Sequence, residues 1–324
     1  MYDGTTLVSS FPEVVMLRRD FLRIAAGTAL GASLFPFPAL SASAMLRRRI
    51  PSTGEELPVV GFGTWQTFDV DPDDDDAMDR LARVLRVLFE HGGSVIDSSP
   101  MYGRAERVVG DLLARESLVR DDAFLATKVW TRGRDEGERQ IRGSAEKMNA
   151  GGALDLVQIH NLVDWRTHLR TLRSMKDEGT VRYVGLTHYT DRGVDQLAEV
   201  IAAEDGIDFV QCAYSLGVRK AGRDLFPLCA DRGVAVIVNR PFEGGAAFRD
   251  TRDHDVPKWA REELDVRTWA QFFLKFVLGD PRVTCVIPGT GKVEHARDNV
   301  QAGFGPLPDA QQQARMVDVW ERMR

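Results

Sequence analysis

Four side chains fall at or just past the ends of three short apolar runs in this 324-residue chain. Asp97 and Tyr102 follow Ser94-Val95-Ile96, Lys128 follows Phe124-Leu125-Ala126-Thr127, and His160 follows Leu156-Val157-Gln158-Ile159. As a set they suit a carbonyl that must be polarised and protonated. A free tyrosine hydroxyl has a pKa of about 10 and is a poor acid near neutrality. A lysine beside it favours the phenolate and lowers that value, and an aspartate keeps the ammonium charged and oriented. A histidine adds a second hydrogen bond to the carbonyl oxygen. Singly, each residue has a structural reading: Lys128 in a salt bridge, Asp97 as a cap, Tyr102 as an amphipathic tyrosine, His160 as a satisfied strand-end histidine. Their joint placement favours chemistry.

Residues so far apart in sequence meet only if their strand ends open onto one face, as in a parallel barrel. From Pro58 onward, apolar runs alternate with amphipathic stretches, and the alternation repeats eight times. The predicted strands are 59–63, 94–97, 124–129, 156–160, 183–186, 209–212, 235–238 and 283–287. The predicted helices are 78–90, 106–115, 138–149, 165–178, 193–203, 224–231, 269–278 and 294–302. This is the pattern of an α/β protein, a (β/α)8 TIM barrel. Gly179, Gly233 and Gly279 stand where helix C-caps belong. A Rossmann domain is the rival for a nucleotide enzyme, yet no Gly-x-Gly-x-x-Gly opens a helix after the first strand, where Gly61-Phe62-Gly63-Thr64-Trp65 leads into a polar loop. A barrel binds phosphate after its last strands, and there the chain carries Gly289-Thr290-Gly291-Lys292.

Composition bounds the rest. With 44% hydrophobic residues the chain buries one large catalytic core, and with a net charge of −6 and no basic block it has no nucleic-acid footprint. The acidic run Asp71 to Asp76 reads as a solvated loop and helix N-terminus, since it lacks the spaced ligands of a Ca²⁺ loop. Cys212, Cys229 and Cys285 are odd in number and read as buried thiols, and no metal-ligand cluster suggests zinc. Residues 1–44 stand apart as a signal peptide and 45–324 as the barrel. Arg18-Arg19-Asp20-Phe21-Leu22-Arg23, a modest apolar stretch and Ala42-Ser43-Ala44 form a twin-arginine (Tat) signal, with a fortuitous Arg-Arg in a cytosolic protein as the alternative. Gly27, Gly31, Pro36 and Pro38 weaken the apolar stretch as a membrane span and favour cleavage. The expectation is an exported, periplasmic protein handled by the Tat machinery, with no stable membrane association afterwards.

The four polar residues, in Asp97-Ser98-Ser99-Pro100-Met101-Tyr102-Gly103, Leu125-Ala126-Thr127-Lys128-Val129-Trp130 and Asp155-Leu156-Val157-Gln158-Ile159-His160, resemble the catalytic tetrad of the aldo/keto reductase family. The similarity runs from Leu57-Pro58-Val59-Val60-Gly61-Phe62-Gly63-Thr64-Trp65 to Ile287-Pro288-Gly289. It implies NAD(P)H-dependent reduction of an aldehyde or ketone, with Tyr102 as general acid and Asp97, Lys128 and His160 in support. It implies that Thr187 and His188, in Gly185-Leu186-Thr187-His188, hold the nicotinamide carboxamide together with Gln211. Gly289, Thr290 and Asn299 complete its cofactor set. Two departures stand out. Where the family often stacks an aromatic ring on the nicotinamide, this chain has Asn239-Arg240-Pro241-Phe242, and Arg240 is free to contact the pyrophosphate or to form a surface salt bridge. The positive pair that usually reads the 2′-phosphate is replaced by Gly289-Thr290 and His295, with Lys292 as substitute, so NADPH is expected by family habit and NADH remains open. Trp65, Trp130 and Trp165 would wall the carbonyl end of the pocket, and Asn161 replaces the aromatic usually beside the histidine. The alternative function is an exported cofactor-binding sensor or regulatory protein with little turnover. A metal-dependent hydrolase is disfavoured for want of ligands.

Overall fold

The computed structural model describes residues 44–115 and 123–324. The signal peptide expected over 1–44 lies outside the described residues, apart from Ala44. An antiparallel hairpin comes first, β1 (Arg47–Arg49) with β2 (Glu56–Pro58). Eight parallel strands follow: β3 (Phe62–Gly63), β4 (Val95–Asp97), β5 (Phe124–Val129), β6 (Leu154–His160), β7 (Val181–His188), β8 (Phe209–Ala213), β9 (Ala235–Asn239) and β10 (Val283–Val286). Each pairs with the next, and bridges Val60↔Val286 and Gly63↔Gly289 join the last to the first. The (β/α)8 barrel read from the periodicity is the observed fold. The short β3 is its one weak ladder, and Val59, Gly61 and Gly63 still exchange backbone hydrogen bonds with the opposite edge.

The strands make two cores because side chains alternate across them. Outward residues pack under the helices in the larger core. Inward residues form layers. Val95, Phe124, Ala126, Leu156, Tyr183, Phe209, Ala235, Ile237, Cys285 and Ile287 fill the lower barrel, joined by Ile50 and Leu57 from the hairpin. The hairpin was not predicted: its buried residues are few and polar ones flank them. Further along six of these strands, two residues on in five of them and four on β7, the same inward face becomes polar, at Asp97, Lys128, Gln158, Thr187, Gln211 and Asn239. An apolar floor thus supports a polar layer at the C-terminal ends.

Helices between the strands hold that layer in place. α1 (Asp75–Glu90) starts on Asp74, whose carboxylate accepts the Ala77 amide at 3.0 Å, and Asp75 and Asp76 lie in its first turn, where the helix dipole favours them. The acidic run therefore is a helix start, as expected. α2 (Ala105–Leu113), α3 (Arg134–Lys147), α4 (Trp165–Asp177) and α5 (Asp191–Ala203) follow in turn. Next come α6 (Lys220–Asp224), α7 (Phe226–Arg232), α8 (Ala247–Asp250), α9 (Lys258–Leu264), α10 (Trp269–Gly279), α11 (Val293–Gln301) and α12 (Ala310–Arg322). Gly179 and Gly233 end helices at φ +76° and +67°, as expected of C-caps. Gly279 differs: it is the last residue of α10 and serves close packing, because a Cβ there would lie 2.9 Å from the Pro308 carbonyl.

Gly110 fixes the contact between α2, which begins just after Tyr102, and α3. A Cβ at Gly110 would stand 1.9 Å from the Lys147 carbonyl oxygen. Helix propensity alone favours alanine at an interior glycine by up to about 1 kcal/mol. The clash is with backbone and wins. Gly110→Ala is expected to destabilise by about 1–3 kcal/mol in urea unfolding, the range for overpacking; a gain in stability would contradict this close approach.

Candidate active site

Strand register brings the acid and the base together. Asp97 pairs with Ala126, so Lys128, two residues further on β5, projects just beyond the end of β4 with the same inward orientation. Its Nζ donates to Asp97 at 2.7 Å (Oδ1) and 2.5 Å (Oδ2) and to the Ser98 carbonyl at 2.7 Å. All three ammonium donors are directed, and the pair is only 1% exposed. Burial pulls the Lys128 pKa down, but Asp97 and Tyr102 outweigh it and hold it above the usual lysine value. The group stays charged.

Tyr102 reaches the same point from the loop after β4. Its amide donates to the Ser99 carbonyl, and Gly103 follows at φ +60°, with the Asp69 carboxylate standing where a side chain would be. Asp69 also accepts the Arg104 amide at 2.9 Å, and Asp71 pairs with the Arg104 guanidinium at 3.0 Å. The acidic loop thus braces the tyrosine turn. Lys128 Nζ lies 4.9 Å from the centre of the Tyr102 ring. The expected lowering of the phenol pKa is not the outcome: burial raises it above 10, and this exceeds the downward pull of Lys128, while Asp97 adds a further rise. The charge pattern is as read from sequence; the desolvation was not legible there.

His160 stands edge-on to Tyr102, ring centres 6.0 Å apart. Its Nδ1 is 3.2 Å from Ser99 Oγ, a partner the sequence did not single out although it lies three residues before Tyr102. Burial, Lys128 and His188 push its pKa down to about 3, so the imidazole is neutral. The chain leaves His160 through an unusual turn: Asn161, Leu162 and Asp164 all have positive φ, at 52°, 56° and 47°. Asp164 accepts the Gly133 amide at 2.8 Å, which anchors the turn to the loop after β5.

A ring of amides lies beside the pair. Gln211 Nε2 donates to Asp97 at 2.8 Å and to Gln158 Oε1 at 3.0 Å, and its oxygen faces Asn239 Nδ2 at 3.1 Å and Thr187 Oγ1 at 3.4 Å. Gln158 was hidden in an apolar run; its signal was its place two residues before His160 on the inward face. His188, next to Thr187, takes the other face. Its Nδ1 accepts the Tyr189 and Thr190 amides at 3.0 and 3.3 Å, which makes it part of the start of α5.

The remaining expected residues lie around the same end of the barrel without hydrogen bonds to the tetrad. Arg240, half-buried with φ 51°, lies over Tyr189 at 5.7 Å and has no ion pair among the described residues. Gly289 bridges to Gly63, Thr290 Oγ1 accepts the Lys292 amide at 3.1 Å, Lys292 is exposed, and Asn299 is buried on α11. Trp65 and Trp130 are 45% and 44% exposed at the mouth, and Trp130 lies 6.4 Å from His160. Trp165 instead packs half-buried against the outer core, with Arg166 over its ring at 4.3 Å. All three cysteines are free and buried, and burial raises each thiol pKa, to about 12 for Cys229. They are the buried thiols expected from the sequence.

The model of the aldo/keto reductase family matches residues 59–320. The chain is 27% identical over 256 residues to the NADH-specific methylglyoxal reductase of Escherichia coli (strain K12), across 69% of this chain and 75% of that protein. It is 30% identical over 139 residues to D-arabinose 1-dehydrogenase of Saccharomyces cerevisiae, across 39% and 41%. An aldo-keto reductase from Klebsiella pneumoniae, solved in complex with NADPH, has the same fold: TM-score 0.69, 22% identity, 85% of this chain and 96% of that one. With the matched span running from the first barrel strand into α12, the chain belongs to the aldo/keto reductase family of oxidoreductases.

Proposed function

We propose that this protein reduces an aldehyde or ketone to an alcohol with a nicotinamide cofactor, and that Tyr102 delivers the proton. The observation that carries the reading is the buried Asp97–Lys128 pair set against the Tyr102 ring, with a neutral histidine edge-on to that ring. The chain's own residues suit such a cofactor: Arg240 is a cation without an ion pair among the described residues, Gly289 to Gly291 bring backbone close to the mouth, and Lys292 adds exposed charge. These would hold the phosphates, with Asn299 behind them and the Thr187, Gln211 and Asn239 cluster toward the nicotinamide end. NADPH is the proposed cofactor and NADH the alternative. When bound, it supplies the hydride.

The protein supplies the rest of the chemistry. With its pKa raised, Tyr102 carries its proton throughout the neutral range, ready to donate as negative charge develops on the substrate oxygen. Lys128 beside it stabilises the phenolate left behind, and Asp97 keeps that ammonium in place. Ser99 donating to Nδ1 would put the His160 proton on Nε2, where it serves as a second donor to the oxygen. Trp65 and Trp130 would shelter the reacting carbon, and Asn161 makes one side of the pocket polar.

We further propose that residues 1–44 direct Tat export of the folded protein, which permits a cofactor bound in the cytoplasm to travel with it. Arg18-Arg19 and Ala42-Ser43-Ala44 support this. Replacing both arginines by lysine is expected to retain the precursor in the cytoplasm. Cell fractionation indistinguishable from the parent would sink the export proposal.

For the chemistry, Tyr102→Phe keeps the ring and removes the hydroxyl. Cofactor affinity is expected to survive while carbonyl reduction falls by about 10²–10⁴-fold, the span of general acid catalysis. The assay is single-turnover hydride transfer from saturating reduced cofactor to a reactive aromatic aldehyde. Transfer at the parental rate would remove Tyr102 from the role of acid.

A further inference from the structure

Trp130 stands at the barrel mouth with its indole exposed and its backbone tied down. Its amide donates to Gln140 Oε1 at 2.6 Å, and Gln140 Nε2 donates back to the Trp130 carbonyl at 3.4 Å. One side chain thus grips both polar backbone groups of a single residue. The orientation of its amide is fixed, since only the oxygen can accept the Trp130 N–H. Gln140 lies half-buried within α3 and reaches back ten residues to make these contacts. The peptide units that follow are held from other elements. His168, fully buried on α4, directs Nε2 at the Thr131 carbonyl at 2.8 Å, and Asp164 accepts the Gly133 amide at 2.8 Å. A carbonyl only accepts, so the His168 proton is on Nε2. Gly137, one turn before Gln140, makes room for that ring: a Cβ there would lie 2.6 Å from His168 Cε1. Side chains from α3, α4 and the loop after β6 therefore converge on the backbone of residues 130–133, and the indole they support lies 6.4 Å from His160.

We infer that Gln140 is a positioning residue that holds Trp130 as a fixed wall of the substrate pocket, and that it thereby sets selectivity for planar aromatic carbonyl compounds over short aliphatic ones. The inference rests on the reductase reading above, with Trp130 as a pocket residue. An aromatic substrate gains contact area and ring packing from an indole. Over a loose loop, part of that gain is lost each time binding orders the wall; a loop held in advance avoids the loss. A short aliphatic aldehyde offers little surface to the ring, so the state of the loop hardly affects it.

The test is the ratio of kcat/KM for benzaldehyde to that for propanal, at saturating reduced cofactor. Gln140→Ala is expected to lower this ratio by about three- to tenfold, the worth of one net hydrogen bond. The fall should come through KM for benzaldehyde, with kcat and propanal reduction unchanged. Gln140→Glu, which keeps an acceptor for the Trp130 amide, should retain most of the ratio. In a Trp130→Ala background, adding Gln140→Ala should leave the ratio where Trp130→Ala alone puts it, because the two act as one unit. A tether with no part in selectivity would lower stability and leave the ratio at the parental value; that result would overturn the assignment, as would a further full drop in the Trp130→Ala background. If Gln140→Ala does not fold, Gln140→Met, which keeps the length without the amide, decides in its place. Labelling with 5-fluorotryptophan checks the tether without turnover: the ¹⁹F signal that disappears in Trp130→Ala should shift or broaden in the Gln140 variant, and an unmoved signal would contradict the tether. A parent that reduces neither aldehyde would overturn the reductase reading and the selectivity role with it, whereas an active enzyme with unaltered selectivity overturns the assignment alone.

Discussion

A lysine and an aspartate placed together inside the barrel constrain everything around them. Neither charge reaches water, and removing one partner of such a pair leaves the other uncompensated at a cost of about 3–5 kcal/mol. The pair persists because each donor and acceptor is used: the Ser98 carbonyl takes the third ammonium proton, and Gln211 adds a donor to the carboxylate. Those demands fix the lengths of β4 and β5, the register between them, and the turn that brings Tyr102 against the ammonium. The apolar floor of Phe124, Leu156, Tyr183 and Phe209 keeps water from the underside, so the field of the pair is directed upward at the mouth.

Two opposed effects then set the proton affinity of Tyr102. Lys128 favours the phenolate, burial disfavours it, and burial wins. Under the proposed chemistry that balance is useful: the hydroxyl keeps its proton near neutrality, and the ammonium would act mainly as the proton leaves. His160 is arranged in the opposite sense. Burial and the Lys128 charge keep it neutral, so it never competes with Lys128 for a negative partner. The left-handed residues Asn161, Leu162 and Asp164 are a concentration of backbone strain, of the kind found where function over-determines structure, and here it immediately follows the histidine.

The tetrad and the barrel were legible because both follow from local rules. Period-two alternation placed Asp97, Lys128 and His160 on one face of their strands, and each stood at an apolar run's end, where a parallel barrel opens. The amide ring was not legible. Gln158 sits among Leu156, Val157 and Ile159 and looks like an interruption of a strand, and its partner Gln211 lies two strands away on β8. The same holds for Ser99 beneath His160. His188 looked like half of a polar pair, yet alternation turns it away from Thr187 and its ring is drawn to backbone amides at the start of α5. The hairpin under the barrel gave little warning, since Ile50, Leu57 and Pro58 are its buried positions among arginines and glutamates.

Lys128 lowers, and burial raises, the proton affinity of Tyr102, with burial dominant. Titrating the phenol directly tests it. Tyrosine labelled with ¹³C at Cζ is incorporated, the Tyr102 signal is assigned by its absence in Tyr102→Phe, and its shift is followed by NMR from neutral to alkaline pH in the parent and in Lys128→Met. The account expects the parent phenol to titrate above the ordinary value of about 10 and the variant higher still. A phenol that titrates below 10 in the parent, or one whose midpoint is unmoved or lowered by Lys128→Met, would contradict it.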